Sequence, residues 1–222
     1  MARNGVSRRR FLKTAASGAA AVSIAGPALG ALGSNERIRV GIIGTGGRGG
    51  AHSLHFRPEA PTNIRHADAE VVALCDVDAG HLKGVAGPLG GKVQTFGDFR
   101  KLLDLKDVDA VFIASPCHWH GIQAIAAMEA GKDVYIEKPL GHTIRECQAI
   151  VETARRTGRI VQVGQQQRSG PHWQNAVKKM RDGAIGQITT VNVWNVWNLE
   201  EMGGRLGNPP DGEPPAGVDY DM

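Results

Sequence analysis

The chain has 222 residues, with 26 Lys and Arg against 22 Asp and Glu and a formal net charge of +4. Five of those cations, Arg3, Arg8, Arg9, Arg10 and Lys13, lie in the first thirteen residues, which hold no acid. The excess therefore belongs to the N-terminal segment, and the remainder offers no basic stripe of the kind a nucleic-acid surface needs. Three scattered cysteines, Cys75, Cys117 and Cys147, form neither a disulfide framework nor a CxxC metal pattern, and each reads as a small buried apolar residue.

The N-terminal segment Ser7-Arg8-Arg9-Arg10-Phe11-Leu12-Lys13 follows the twin-arginine export pattern. A stretch rich in Ala, Gly and Ser runs on to about Gly33, with small residues near Ala28-Leu29-Gly30 suited to cleavage. Residues 1–33 are expected to be an export signal read by the twin-arginine machinery, which places the protein in the periplasm or outside the cell. A basic helix or an uncleaved anchor is the alternative, although the stretch is weakly apolar for a lasting anchor.

From Arg37 strands and helices alternate. The sequence predicts strands at Ile38–Ile43, 70–75, 93–95, 108–114, 133–136 and 160–163. Helices are predicted from Arg48 towards Phe56, at 121–130 ahead of Gly131, and from a Thr143 cap to Thr157 ahead of Gly158. An amphipathic turn is expected around Phe99, Leu102 and Leu103. Short apolar strands separated by helices imply a parallel sheet covered on both faces, a Rossmann-type doubly wound α/β domain over residues 36–164. Beyond it, a helix is predicted at 173–182 and a β-prone run at 187–197, followed by a Gly/Pro-rich loop at 203–217. Residues 165–222 read as the start of an α+β second domain, left incomplete because one strand makes no stable sheet.

The first strand leads into Gly44-Thr45-Gly46-Gly47-Arg48-Gly49. Here Gly44 permits the tight turn, Gly46 lets the backbone approach a pyrophosphate, and Gly49 lets helix pack on strand. Gly44, Gly46, Gly47, Arg48 and Gly49 are thus assigned to a dinucleotide. Asp76 closes the second strand. Its distance from the loop exceeds the usual ~20 residues, and residues 57–69 read as the insertion responsible. A carboxylate there accepts from a ribose 2′-hydroxyl and repels a 2′-phosphate, which favours NAD over NADP. The spacing His118-x-His120 suggests a metal, but no third ligand has matching spacing, so none is assigned.

The glycine loop, Asp76, Ser115-Pro116-Cys117-His118-Trp119-His120 and Glu137-Lys138-Pro139-Leu140-Gly141 occur in this order. Together they resemble the glucose–fructose oxidoreductase / inositol dehydrogenase / MocA family. The resemblance implies that Lys138 is the catalytic lysine, partly buried and bonded to the reacting oxygen. It implies that Ser115, Pro116, His120, Glu137 and Gln165 line the cofactor, and that Lys138, Gln167 and Arg168 meet the substrate. Cys117 stands where the family pattern has Asn or Asp. The implied function is hydride transfer at a hydroxyl of a sugar or cyclitol, in a homo-oligomeric parent protein. The family's second domain supplies a histidine base, yet no histidine follows His172, so the chain reads as a fragment inactive alone. Two alternatives stay open: an NAD-dependent glycoside hydrolase of the same fold, and a dinucleotide-binding fragment without catalysis.

Overall fold

The computed structural model describes residues 37–57, 59–61, 66, 68–90, 92–194, 212–213 and 215–219. The export motif lies outside them. Six strands form one sheet: β1 (Ile38–Ile43), β2 (Ala69–Cys75), β3 (Gln94–Phe96), β4 (Ala110–Ile113), β5 (Asp133–Glu137) and β6 (Val161–Gly164). Every pairing is parallel and the spatial order is β3-β2-β1-β4-β5-β6. This is the doubly wound arrangement expected. Its order reverses between β1 and β4, which opens a crevice at their carboxyl ends, where ligands bind in such sheets.

The helices are α1 (Gly47–Ser53), α2 (Ala79–Ala86), α3 (Phe99–Leu103), α4 (Cys117–Glu129), α5 (Ile144–Thr157) and α6 (Pro171–Arg181). Both faces of the sheet are covered, so the inner strands are apolar on both sides. On β1, Ile43 joins Leu102, Val111, Ile113, Met128, Ile136 and Ile150 on one face. Its neighbours Val40 and Ile42 turn to the other, with Leu74 and Val85. Phe112 stacks on Tyr135 with ring centroids 4.7 Å apart, linking β4 to β5.

Local chemistry sets the helix ends. The Thr143 side chain accepts from Glu146 N–H at 3.2 Å, and Glu146 Oε2 accepts from Thr143 N–H at 2.9 Å, a reciprocal cap for α5. Gly158, with φ +67°, closes the same helix.

Three expectations are corrected. The α4 helix begins at Cys117, not Gly121, because Pro116 occupies the N-cap position and the chain turns helical directly after it. The residues expected to form a loop there are the first turn of a helix. The α2 helix, absent from the sequence-based elements, starts from an Asp78 cap whose Oδ1 accepts from Gly80 N–H at 2.7 Å and His81 N–H at 3.2 Å. Residues 187–194 form no strand, since no described strand lies alongside to pair with them; 195–197 fall outside the described residues.

After Gly164, α6 contributes no buried residue, and Trp173 on it is exposed. Part of the expected 203–217 loop lies outside the described residues. Just after it, Val218 makes an isolated antiparallel bridge with Asp78, in the turn that follows β2. Among the described residues no helix is long and apolar enough to cross a membrane.

Candidate cofactor site and its lysine

The site sits at the carboxyl edge of β1, β2, β4 and β5. Gly44 has φ +84°, and a Cβ there would come within 2.5 Å of the Ser115 nitrogen. A Cβ on Gly49 would overlap the Gly44 carbonyl oxygen. The turn after β1 is thus packed backbone against backbone, on α1 and on the turn after β4. Gly47 differs: a Cβ there would meet nothing within 4 Å, so this part of the loop borders open space. The loop forms a cradle whose inner glycines close the fold and whose outer face is free to receive a ligand.

Asp76 anchors the far side of the cradle. Its Oδ2 accepts from Thr45 N–H at 2.6 Å and from the Thr45 hydroxyl at 3.1 Å, and its Oδ1 accepts from Asp78 N–H at 2.9 Å. A carboxylate has about four acceptor positions, so one is left for a ribose hydroxyl. The His81 ring lies beside it, with Nδ1 3.6 Å from Asp76 Oδ2 and Nε2 3.7 Å from Asp78 Oδ2.

The turn after β4 faces the turn after β5 across a pocket of about 240 Å³, lined by Arg48, Ala114, Ser115, Cys117, His120, Glu137 and Lys138. The Ser115 hydroxyl donates to Gln123 Oε1 at 2.6 Å, which fixes the turn to α4. Pro116 is the residue that starts that helix.

His120 borders the pocket, but through a buried ring. It is 2% exposed, with Nδ1 2.6 Å from the Pro139 carbonyl and Nε2 3.0 Å from the Ser115 carbonyl. Both ring nitrogens face backbone oxygens, so neither is offered to a cofactor or a metal. The ring is a strut joining the Ser115 turn to the Lys138 turn. The Lys138–Pro139 peptide is cis.

Glu137 is the centre of the network. Its Oε1 receives Gln166 Nε2 at 2.6 Å, faces His52 Nε2 at 2.7 Å and pairs with Arg48 Nε at 3.4 Å. Its Oε2 accepts from Lys138 N–H at 3.2 Å. Burial alone would push this carboxyl up, but the hydrogen bonds from His52, Lys138 N–H and Gln166 hold it below the usual glutamate range. Glu137 therefore stays ionised and ties α1, the end of β5 and the segment after β6 into one unit. Lys138, one residue on, is exposed at the pocket wall, not partly buried as expected.

The segment after β6 departs from the sequence-based assignment. Gln166, not Gln165, reaches Glu137, and it also donates to the Tyr135 hydroxyl at 3.0 Å. Gln167 Oε1 accepts from Trp173 Nε1 at 3.2 Å, so this side chain is directed towards α6. Gln165, Gln167 and Arg168 are exposed, and none lines the pocket. Sequence reasoning also missed His52, Asp78 and His81. The spacing of Arg48 and His52, one helical turn apart on α1, is the one signal that pointed to a shared face.

The cysteines divide. Only Cys75 is buried; burial first, then Asp76 and Asp98, pushes its thiol up to about 12. Cys117 and Cys147 are partly exposed, because α4 and α5 turn them towards the surface.

The sheet order, the glycine cradle and the carboxylate at the end of β2 define a dinucleotide-binding domain. Residues 38–165, more than half of the chain, match the glucose–fructose oxidoreductase / inositol dehydrogenase / MocA group, an oxidoreductase family with an NAD-binding Rossmann fold, and the chain belongs to that family. A glycosyl hydrolase family 109 protein of Shewanella pealeana is 32% identical over 213 residues, covering 82% of this chain and 44% of that protein. Inositol 2-dehydrogenase 1 of Saccharopolyspora erythraea is 36% identical over 156 residues, covering 70% and 44%. Among solved structures, scyllo-inositol dehydrogenase from Lactobacillus casei with bound NAD(H) and scyllo-inositol matches with a TM-score of 0.62. It is 29% identical, and the match covers 69% of this chain and 43% of that one. The chain spans less than half the length of each of these relatives. NAD is the cofactor of the domain, and the residues present fit it: the free face of Gly47 and the remaining acceptor of Asp76 lie on the same edge.

Proposed function

We propose that this chain forms the nucleotide half of an oxidoreductase that moves hydride between nicotinamide and a hydroxyl-bearing carbon of a sugar or cyclitol. One observation carries the reading. Lys138 stands at the pocket wall directly after the buried carboxylate Glu137, which is bonded to the glycine-loop helix through Arg48 and His52.

Bound NAD supplies the hydride acceptor. The Lys138 ammonium holds the substrate oxygen and shares the proton that leaves or returns there. Arg48 and Ser115 border the space where cofactor and substrate meet. Glu137 and His120 also border this pocket, and their bonds fix the backbone on either side of Lys138, so that its reach is set within hydrogen-bond distance. The part of the relatives' length that this chain does not match would complete the substrate pocket, and turnover by residues 1–222 alone is expected to be negligible. The test is NADH formation from inositols and simple sugars by a protein extended to the relatives' full length. Lys138→Ala should remove the rate while leaving NADH binding intact; an unchanged rate would refute the assignment.

A second reading, redox-neutral cleavage of a glycoside through transient oxidation, draws on the similarity to the family 109 hydrolases, which extends past the Rossmann domain to cover 82% of this chain. Release of nitrophenol from an aryl glycoside without net NADH would favour it. The N-terminal Ser7–Lys13 motif supports export by the twin-arginine route in either case.

A further inference from the structure

We propose that His81 acts with Asp76 and Asp78 to set which dinucleotide the site accepts, and that it makes this choice depend on pH. The inference rests on the assignment of the carboxyl edge to a nicotinamide dinucleotide. It concerns the adenosine side of that site, away from Lys138.

His81 lies in the first turn of α2, whose Asp78 cap accepts its backbone N–H. Side chains in a helix lean towards its N-terminus, so the imidazole is brought back over the carboxyl edge of β2. There it stands between two carboxylates, 3.6 Å from Asp76 and 3.7 Å from Asp78, with about half of its surface exposed. Its other neighbour is the glycine cradle: a Cβ on Gly46 would lie 3.2 Å from the ring carbon Cε1. The ring thus forms the wall between the loop that takes the pyrophosphate and the acid that reads the ribose 2′ position.

The turn that carries this set is held in place. Ala79 N–H donates to the Gly217 carbonyl at 3.0 Å, and Asp219 N–H donates to the Val77 carbonyl at 3.0 Å. Residues 215–219 therefore brace Val77–Ala79 from outside the sheet. The charged groups beside the ring are Asp76 and Asp78 on its own turn; farther out lie Asp219, on the bracing segment, and Asp98, which acts on Cys75 and is paired with Arg100 at 3.0 Å. The glycine-loop side offers neutral Thr45 and Gly46.

With a neutral imidazole, two carboxylates face the ribose and reject a 2′-phosphate. An imidazolium places a cation between them, offsets part of that repulsion and supplies an N–H donor for the phosphate. A 2′-hydroxyl carries no charge, so its binding changes little. Discrimination between the two dinucleotides should fall as the medium becomes acidic.

The experiment measures NADH and NADPH dissociation constants of the 222-residue chain by nicotinamide fluorescence, at pH 5.5 and pH 8, for wild type, His81→Gln and His81→Lys. The 2′-phosphate takes up its own second proton near pH 6, but it does so equally for all three proteins. The informative quantity is the difference between their profiles. The NADH preference of wild type should fall by about fivefold more than that of His81→Gln, as suits a half-exposed charge pair. His81→Lys should show the lower preference at both pH values. Profiles that superimpose for wild type and His81→Gln, with NADH still bound, would overturn this inference alone. A wild-type chain that binds neither nucleotide would overturn the cofactor assignment, and this inference with it.

Discussion

His52 Nε2 lies 2.7 Å from Glu137 Oε1, and the two residues are 85 positions apart. The contact joins the glycine-loop helix to the end of β5 and so couples the cradle that takes the phosphates to the turn that carries Lys138. Both side chains are nearly withdrawn from solvent, at 12% and 5% exposure. A carboxylate so placed persists only because four groups surround it.

Glu137→Gln should therefore destabilise the domain by about 1–3 kcal/mol at neutral pH, because His52 and Arg48 lose their charged partner. The sign with pH follows from the direction of the shift. The folded carboxyl is held below its unfolded range, so its contribution is full above the unfolded value and is lost as pH falls through the folded one. Melting curves of wild type and variant should lie apart at pH 7 and converge below pH 4. Equal separation at both would show that the ionised carboxylate contributes nothing.

Two neighbouring glycines separate fold from binding. Gly49→Ala forces a Cβ onto the Gly44 carbonyl, so α1 must move away from β1. The expected cost is about 2 kcal/mol or more, with loss of NADH binding. Gly47→Ala meets open space in the chain itself, so its melting temperature should match wild type while NADH affinity falls at least severalfold. Calorimetry and titration on the same samples check both.

Asp76→Ala should weaken NADH and relax discrimination against NADPH. It also frees Thr45 N–H and its hydroxyl, so part of the effect is loss of order in the glycine loop. Asp76→Asn keeps an acceptor for Thr45 and removes the charge. It should retain more NADH affinity than Asp76→Ala while relaxing discrimination as much. Equal NADH affinity in all three proteins would remove Asp76 from the site.

The sheet was legible because its inner strands are buried on both faces. Residues 40–43 and Ala110–Ile113 read as unbroken apolar runs for that reason. The α5 helix was legible from Thr143 and Gly158, whose capping roles are local. The α2 helix was not: two glycines and a single buried residue, Val85, leave almost no periodic signal, and only the Asp78 cap announced it. The glycine cradle and Asp76 could be read from spacing. The network around Glu137 could not, since Gln166 is 29 residues away and His52 is 85. His120 was recognisable as a site residue, but its burial between two carbonyls is a product of packing that no local pattern encodes. The run at 187–194 shows the converse, β propensity without a strand beside it among the described residues.

In the proposed enzyme, one carboxyl edge holds NAD with its nicotinamide next to Lys138. A crystal structure of the chain with NADH tests this placement most directly. The pyrophosphate should lie against Gly46 and Gly47, the adenosine ribose on Asp76, and the nicotinamide in the pocket bounded by Ser115, Glu137 and Lys138. A dinucleotide bound elsewhere, or one whose nicotinamide lies away from Lys138, would contradict it.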